Sequence, residues 1–186
     1  PEWASPGHRD CMVGSNSAVN IADAYLRGIR GYDIDILYEA ILKNTESKGP
    51  VNSVGRFGAE YYNVLGYVPY NVGVNENAAR TLEYAFADWS IAELSKALDK
   101  PKEEVDLFRE RSMNYKLLFD PEIGFMRGKN ENGTWANTFT PDKWGDAFTE
   151  GSSWHWTWCV FHDPIGLAES FGGIDKMRNR LDEVFT

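Results

Sequence analysis

Apolar positions along this chain recur mostly at helical spacing. Ala18, Ala22, Tyr25 and Ile29 fall on one face of a first helix, with Gly31 as its stop. Asp33 is placed to cap a second helix carrying Leu37, Ile41 and Leu42, which the run from Asn44 to Pro50 ends. From Val51 to Asn75 the chain is rich in Gly and Tyr, which predicts a long structured loop with a short helical turn over 59–65. The longest predicted helix spans 77–98. Ala78, Leu82, Ala85, Trp89 and Ala92 form its stripe, widened by Phe86, Leu94 and Leu98. Only Asp99 and Lys100 separate it from Pro101, a favoured first helical residue followed by Glu103 and Glu104. So short a link forces the next helix, through Val105, Phe108, Tyr115 and Phe119, to run back antiparallel.

Asp120-Pro121 breaks that helix. Beyond it, Phe125–Gly128 and Thr134-Trp135 flank Asn132-Gly133, which predicts a small β-hairpin. A helix is predicted from Ser153, with Trp154, Trp158, Phe161, Ile165 and Ala168 at helical spacing and a kink at Pro164. Gly172-Gly173 ends it, and a last helix holds Ile174, Met177, Leu181 and Val184. The expected fold is therefore mainly α, one unit over 1–186 with no internal boundary. It consists of about six helices in successive hairpins. Helical hairpins of this kind close into toroids, and six helices make half of a twelve-helix barrel. Half a barrel leaves two apolar faces open, to be covered by the remainder of a barrel or by self-association.

Composition narrows the function classes. Apolar residues are 42% and charged residues 25% of the 186, which marks a globular chain. The formal charge of -9 argues against nucleic acid, whose phosphates need a cationic surface. No apolar run is long enough to cross a bilayer. Aromatics reach 14%, enough either to fill a core or to supply stacking faces for sugars, so their placement decides. Cys11 and Cys159 lie far apart and fit neither a metal motif nor a disulfide framework, so free thiols are expected. His155 and His162 are seven residues apart, and no HExxH, phosphate loop or GxGxxG occurs, so no metal site is expected within the chain. With Pro1 first and no signal peptide, the natural start is expected to be missing or processed away.

Candidate chemistry gathers in three places. The stretch TEGSSWHWTWCVFHD, 149–163, sets Glu150 among tryptophans. A carboxyl in an apolar pocket has its charged form destabilised and can serve as a general acid. The competing reading is an acid stabilising a helix N-terminus. In PEWASPGHRDCMVGSNS, Arg9 and Asp10 can bind paired sugar hydroxyls, or form a local salt bridge and cap. Arg56, in NSVGRFG, can reach a ligand or clamp its loop to a helix.

Those segments, with GYVPYNVGVNENAARTLEYAFADWSIAELSKALDK, NYKLLFDPEIGFMRGKNENGTW and WGDAFTEGSSWHWTW followed by FHD, resemble glycoside hydrolase family 92, the calcium-dependent exo-α-mannosidases. The resemblance covers essentially the whole chain. It implies part, about half, of an (α/α)6 catalytic barrel, in an inverting enzyme that acts on mannose-containing glycans. It implies that Glu150 is the general acid, that Asp10 and Cys11 line the terminal mannose site, and that Arg56 contacts substrate. It also implies that the stretch from Trp154 and His155 onward walls the pocket. The base and the calcium ligands are implied to lie farther along the family's sequence, so this chain alone is expected to be inactive. Relatives are commonly exported, which implies a periplasmic or secreted parent. Asn16 stands where a His is common, and Ser152-Ser153 replaces an Asn-containing pair. A non-catalytic carbohydrate-binding domain and a protein-binding helical scaffold are the alternatives.

Overall fold

The computed structural model describes residues 13–14, 16–46, 55–137 and 139–185. Asp10 and Cys11 lie outside the described residues. Helices dominate: α1 (Asn16–Leu26), α2 (Ile34–Glu46), α3 (Ala59–Leu65), α4 (Asn77–Ala97), α5 (Lys102–Arg111), α6 (Ser153–Trp156), α7 (Pro164–Ser170) and α8 (Ile174–Asp182). A two-stranded antiparallel sheet pairs β1 (Phe119–Asp120) with β2 (Phe125–Met126).

α4 is the axis of the fold. Its apolar residues do not stop at one stripe, and Ala78, Ala79, Leu82, Ala85, Ala92 and Leu94 are buried around its circumference. A helix buried on all sides belongs inside a bundle, and α1 and α5 pack against it. α2 is pinned by one side chain. The Tyr38 hydroxyl lies 2.6 Å from Ser95 Oγ on α4 and donates to Glu104 on α5 at 2.6 Å. The main core forms where α4 meets Tyr115, Leu118, Met126, Phe148 and Val160.

Three sequence expectations are corrected. The helix after Pro101 stays α-helical only to Arg111 and tightens into a 3-10 helix, Ser112–Leu118. This register lets the Ser112 hydroxyl donate to Arg109 O at 2.6 Å and leads the chain straight into β1. The helix expected from Ser153 through a kink at Pro164 is two helices. α6 is a single turn, and α7 starts afresh at Pro164 with Asp163 as N-cap, its carboxylate accepting from Gly166 N at 2.9 Å. Proline here initiates rather than bends, because its missing N–H falls where no partner is needed. The turn at Asn132-Gly133 is present, with Asn130 N–H bonded to Thr134 O at 2.7 Å, but it carries only an isolated bridge, Lys129 to Trp135. β2 turns the other way and pairs with β1 across Pro121–Gly124.

Phe161, Ile165 and Ile174 remain exposed, at 71%, 75% and 63%.

Candidate active site

The loop that carries Glu150 is closed on itself and bolted to the start of α4. Gly145 N–H donates to Gly151 O at 2.8 Å, and Phe148 N–H to Gly145 O at 3.1 Å. The first amides of a helix lack partners within it. Ala78 and Ala79 N–H both donate to Ala147 O at 3.0 Å, and Glu76 N–H donates to Asp146 O. Ala147 and Phe148 are buried in the main core. From inside the loop, Trp156 Nε1 donates to Thr149 O at 2.8 Å. Tyr70 OH and Lys143 both bind the Asp146 carboxylate. Tyr70, Gly128, Phe139, Lys143, Asp146 and Phe148 are among the residues that line a shallow pocket beside this loop.

Glu150 sits at the exit of the loop with φ of 45°. Left-handed backbone is uncommon for a residue with a Cβ and clusters at functional sites. Its side chain is exposed, and the described residues do not enclose it. The hollow of indole rings expected around it is not built by the described residues, because the three tryptophans that follow have other work. Trp154 packs edge-on against Phe125, with centroids 4.6 Å apart, and lies under Arg180. Trp156 holds the loop, and Trp158 stacks on Phe171 at 5.6 Å. Trp144, 66% exposed, precedes Gly145, whose N–H bonds Gly151 O next to Glu150, and its ring meets His155 edge-on at 5.6 Å. His155 is itself exposed; its Nδ1 accepts from Ser152 N–H at 3.1 Å and lies 3.1 Å from Ser152 Oγ, forming a capping box over α6. The box fixes the ring in place beside Trp144.

Arg56 is buried, 1% exposed, and pairs with Asp88 of α4 at 2.6 Å. The same Asp88 carboxylate accepts from Tyr62 OH at 3.0 Å and Arg111 Nε at 3.1 Å. The Arg56 guanidinium lies between the rings of Tyr84 and Tyr62, 5.1 and 5.5 Å from their centroids. Burial is the largest influence and works against its charge, but the attraction and hydrogen bonding of Asp88, together with Tyr62 and Tyr84, more than offset it and hold the guanidinium protonated. Arg56 thus locks the 55–58 loop to α4. Its Nε and Nη1 are buried without a hydrogen-bond partner among the described residues.

His162 serves the core. Its Nε2 lies 2.8 Å from Ser112 O, which places the proton on Nε2, and its ring meets Phe86, Trp89 and Tyr115. Nδ1 is buried without a partner among the described residues. Burial pushes the imidazole below its ordinary value, against the pull of the Ser112 carbonyl and Asp163. The folded state therefore takes up the second proton less readily than the unfolded chain. Stability from this group is present above the unfolded value of about 6.5 and is lost as pH falls through the lower folded value. We expect the unfolding temperature to drop between pH 7 and 5 less steeply in His162→Gln than in wild type. Parallel pH profiles of the two would contradict that assignment.

Cys159 is a free cysteine, and burial together with the Glu83 charge pushes its thiol up to about 11. Among the described residues, no group of three or more His, Cys, Asp or Glu is arranged to hold a metal. They do not fit a calcium site.

Two acids were missed in the sequence, Asp88 and Glu83. Both sit inside the apolar stretch of α4, flanked by Ala87 and Trp89 and by Leu82 and Tyr84. A charge within a helix buried all round was the available sign that something must pair with it.

The family profile described as "Glycosyl hydrolase family 92 catalytic domain" matches residues 1–186. The structure resembles an inverting mannosidase of that family from Bacteroides thetaiotaomicron VPI-5482, with a TM-score of 0.93 and 50% identity, over 98% of this chain and 25% of that one. It also resembles an α-mannosidase of that family from Bacteroides thetaiotaomicron in complex with mannoimidazole. There the TM-score is 0.85 at 31% identity, over 94% of this chain and 23% of that one. An uncharacterized secreted glycosidase from Arthroderma benhamiae is 30% identical over 91% of this chain and 26% of its own length. The chain spans about a quarter of the length of these relatives.

Proposed function

Because this chain belongs to the catalytic domain of glycosyl hydrolase family 92, we propose that it is part of an inverting α-mannosidase that releases terminal mannose from glycans. The observation that carries the proposal is the match of the whole chain to that catalytic domain, within which Glu150 projects from a braced left-handed turn.

In this reading Glu150 protonates the departing glycosidic oxygen. A second carboxylate, in the remainder of the enzyme, activates water on the opposite face of the ring, about 6.5–9.5 Å away. Inversion needs that gap, since the water stands between sugar and base. The loop bracing described above limits the freedom of residue 150, which is what a positioned acid requires. Trp144 and His155 are proposed to form an aromatic surface in the same loop region as Glu150 against which a sugar ring can rest. Asp10 and Cys11 are proposed to line the terminal mannose site. Trp154 is proposed to support the pocket from behind, through its contact with Phe125. Arg56 is proposed first as the clamp on Asp88. A substrate contact for Arg56 remains a proposal from the family resemblance, since its guanidinium is 1% exposed and engaged by Asp88. Calcium enters only for the whole enzyme, on ligands outside these residues. There it would bind sugar hydroxyls through hard oxygen coordination.

The exposed Phe161, Ile165 and Ile174 are proposed to be covered by the rest of the catalytic domain. The secreted relative supports an exported parent, and no described helix is long and apolar enough to cross a membrane.

The test is the anomer released. Proton NMR of an α-mannobioside digested by the full-length enzyme should show β-mannose first, followed by mutarotation. Initial α-mannose would contradict inversion, and sugar binding without release would contradict catalysis. The 186 residues alone should release no mannose, and turnover abolished by Glu150→Gln in that chain would overturn the division of labour proposed.

A further inference from the structure

Glu150 is exposed, and the direction in which its side chain leaves the chain is set by its backbone. That backbone is left-handed, with φ of 45°, a conformation that a residue with a Cβ keeps only where its surroundings impose it. Rotation of the peptide between Thr149 and Glu150 would relieve it. The carbonyls of the residues before and after Glu150 are both held. Thr149 O accepts from Trp156 Nε1 at 2.8 Å, and Gly151 O accepts from Gly145 N–H at 2.8 Å.

The second of these bonds joins backbone to backbone. The first comes from a side chain that is rooted elsewhere. The Trp156 ring packs against the main core, and its backbone N–H donates to Ser152 O at 3.1 Å as α6 begins. An indole N–H that leaves water needs an acceptor. Here it takes the carbonyl of the peptide that leads into Glu150. The approach is close. A β-carbon on residue 151 would stand 3.3 Å from Trp156 Nε1 and 3.3 Å from His155 Cβ, so glycine at that position leaves the indole its path to Thr149.

We propose that Trp156 is the positioning residue of the acid. Its N–H fixes the Thr149–Glu150 peptide and, through it, the place of the Glu150 carboxyl at the glycosidic oxygen. Trp156 needs no contact with substrate for this and acts through Glu150 alone. The inference rests on the mannosidase reading given above. A carboxyl displaced by about 1 Å delivers its proton about 10²-fold more slowly, although substrate binding is unaltered.

The experiment uses the full-length enzyme with Trp156→Phe, which keeps an aromatic ring and removes the N–H. A second variant, Gly151→Ala, keeps the indole and crowds its N–H. Values of kcat and KM are measured on an α-mannobioside and on a dinitrophenyl α-mannoside, whose leaving group needs no proton. In Trp156→Phe, kcat on the mannobioside should fall roughly 10- to 100-fold with KM unchanged, while the dinitrophenyl rate stays near wild type. Gly151→Ala should show the same selective loss, smaller in size, and it decides alone if Trp156→Phe yields no soluble enzyme. An unfolded fraction lowers both rates alike and cancels from their ratio, so a changed ratio reports the acid and not the scaffold. Adding Trp156→Phe to Glu150→Gln should slow the mannobioside no further, because both act on one proton transfer. Equal losses on the two substrates, wild-type rates on both, or losses that add in the double variant would overturn the proposal. The acid assignment itself fails on a different result: Glu150→Gln as active as wild type on the mannobioside.

Discussion

Glu150→Gln in the full-length enzyme should lower turnover of an α-mannobioside by about 10²–10⁴-fold, the usual worth of general acid catalysis. Glutamine keeps the shape and removes only the transferable proton. Glu150 is exposed and carries no hydrogen bond to a described residue, so its replacement leaves no buried group stranded. The left-handed turn is also tolerated as well by Gln as by Glu. Thermal unfolding should therefore coincide with wild type. A rate loss of this size with unchanged unfolding separates the acid from the competing role at a helix N-terminus. In that role the substitution would cost well under 1 kcal/mol of stability and leave the chemistry intact.

The largest stability effect should come from Asp88→Asn. Asp88 is fully buried and holds two guanidinium groups and the Tyr62 hydroxyl at once. Breaking a buried pair by removing one partner costs about 3–5 kcal/mol, because the remaining charge is left in a medium that cannot solvate it. Here the stranded charge is that of Arg56, between Tyr62 and Tyr84; Arg111 retains its bond to Asn63. Thermal unfolding of the full-length protein should begin several degrees lower, or soluble yield should collapse. A midpoint equal to wild type would show that the cluster does not brace α4. Double replacement of Arg56 and Asp88 by apolar residues should cost less than Asp88→Asn alone, since no charge is then left behind.

The parts of the fold legible in the sequence were those set by local periodicity. The α4 stripe and the tight turn before α5 are plain at helical spacing, and so are α1, α2, the short α3 and α8. Two features hid the rest. The aromatic run from Trp154 has the spacing of a long helix, yet Asp163 caps a new one. That competition between side chain and backbone is decided by the Tyr115 hydroxyl donating to Asp163 from a distant segment. The pairing of β2 likewise depends on Met126 N–H meeting Thr157 and Met126 O meeting Ser153, contacts with no local sign. At the candidate site, Glu150 was marked by its motif, but which rings face it was not. Trp154, Trp156 and Trp158 differ only in what lies across from them, and Trp144 is left open by the same packing. Arg56 likewise looked the same in sequence as a ligand contact and as a clamp, and only its distance to Asp88 distinguishes the second.

Leaving-group dependence tests the acid most directly. A dinitrophenyl α-mannoside departs without needing a proton, whereas a sugar alcohol cannot. Comparing wild type with Glu150→Gln on both substrates, the dinitrophenyl rate should stay within about tenfold of wild type while the mannobioside rate falls by about 10²–10⁴-fold. Equal losses on both substrates, or wild-type rates on the mannobioside, would show that the proton comes from elsewhere.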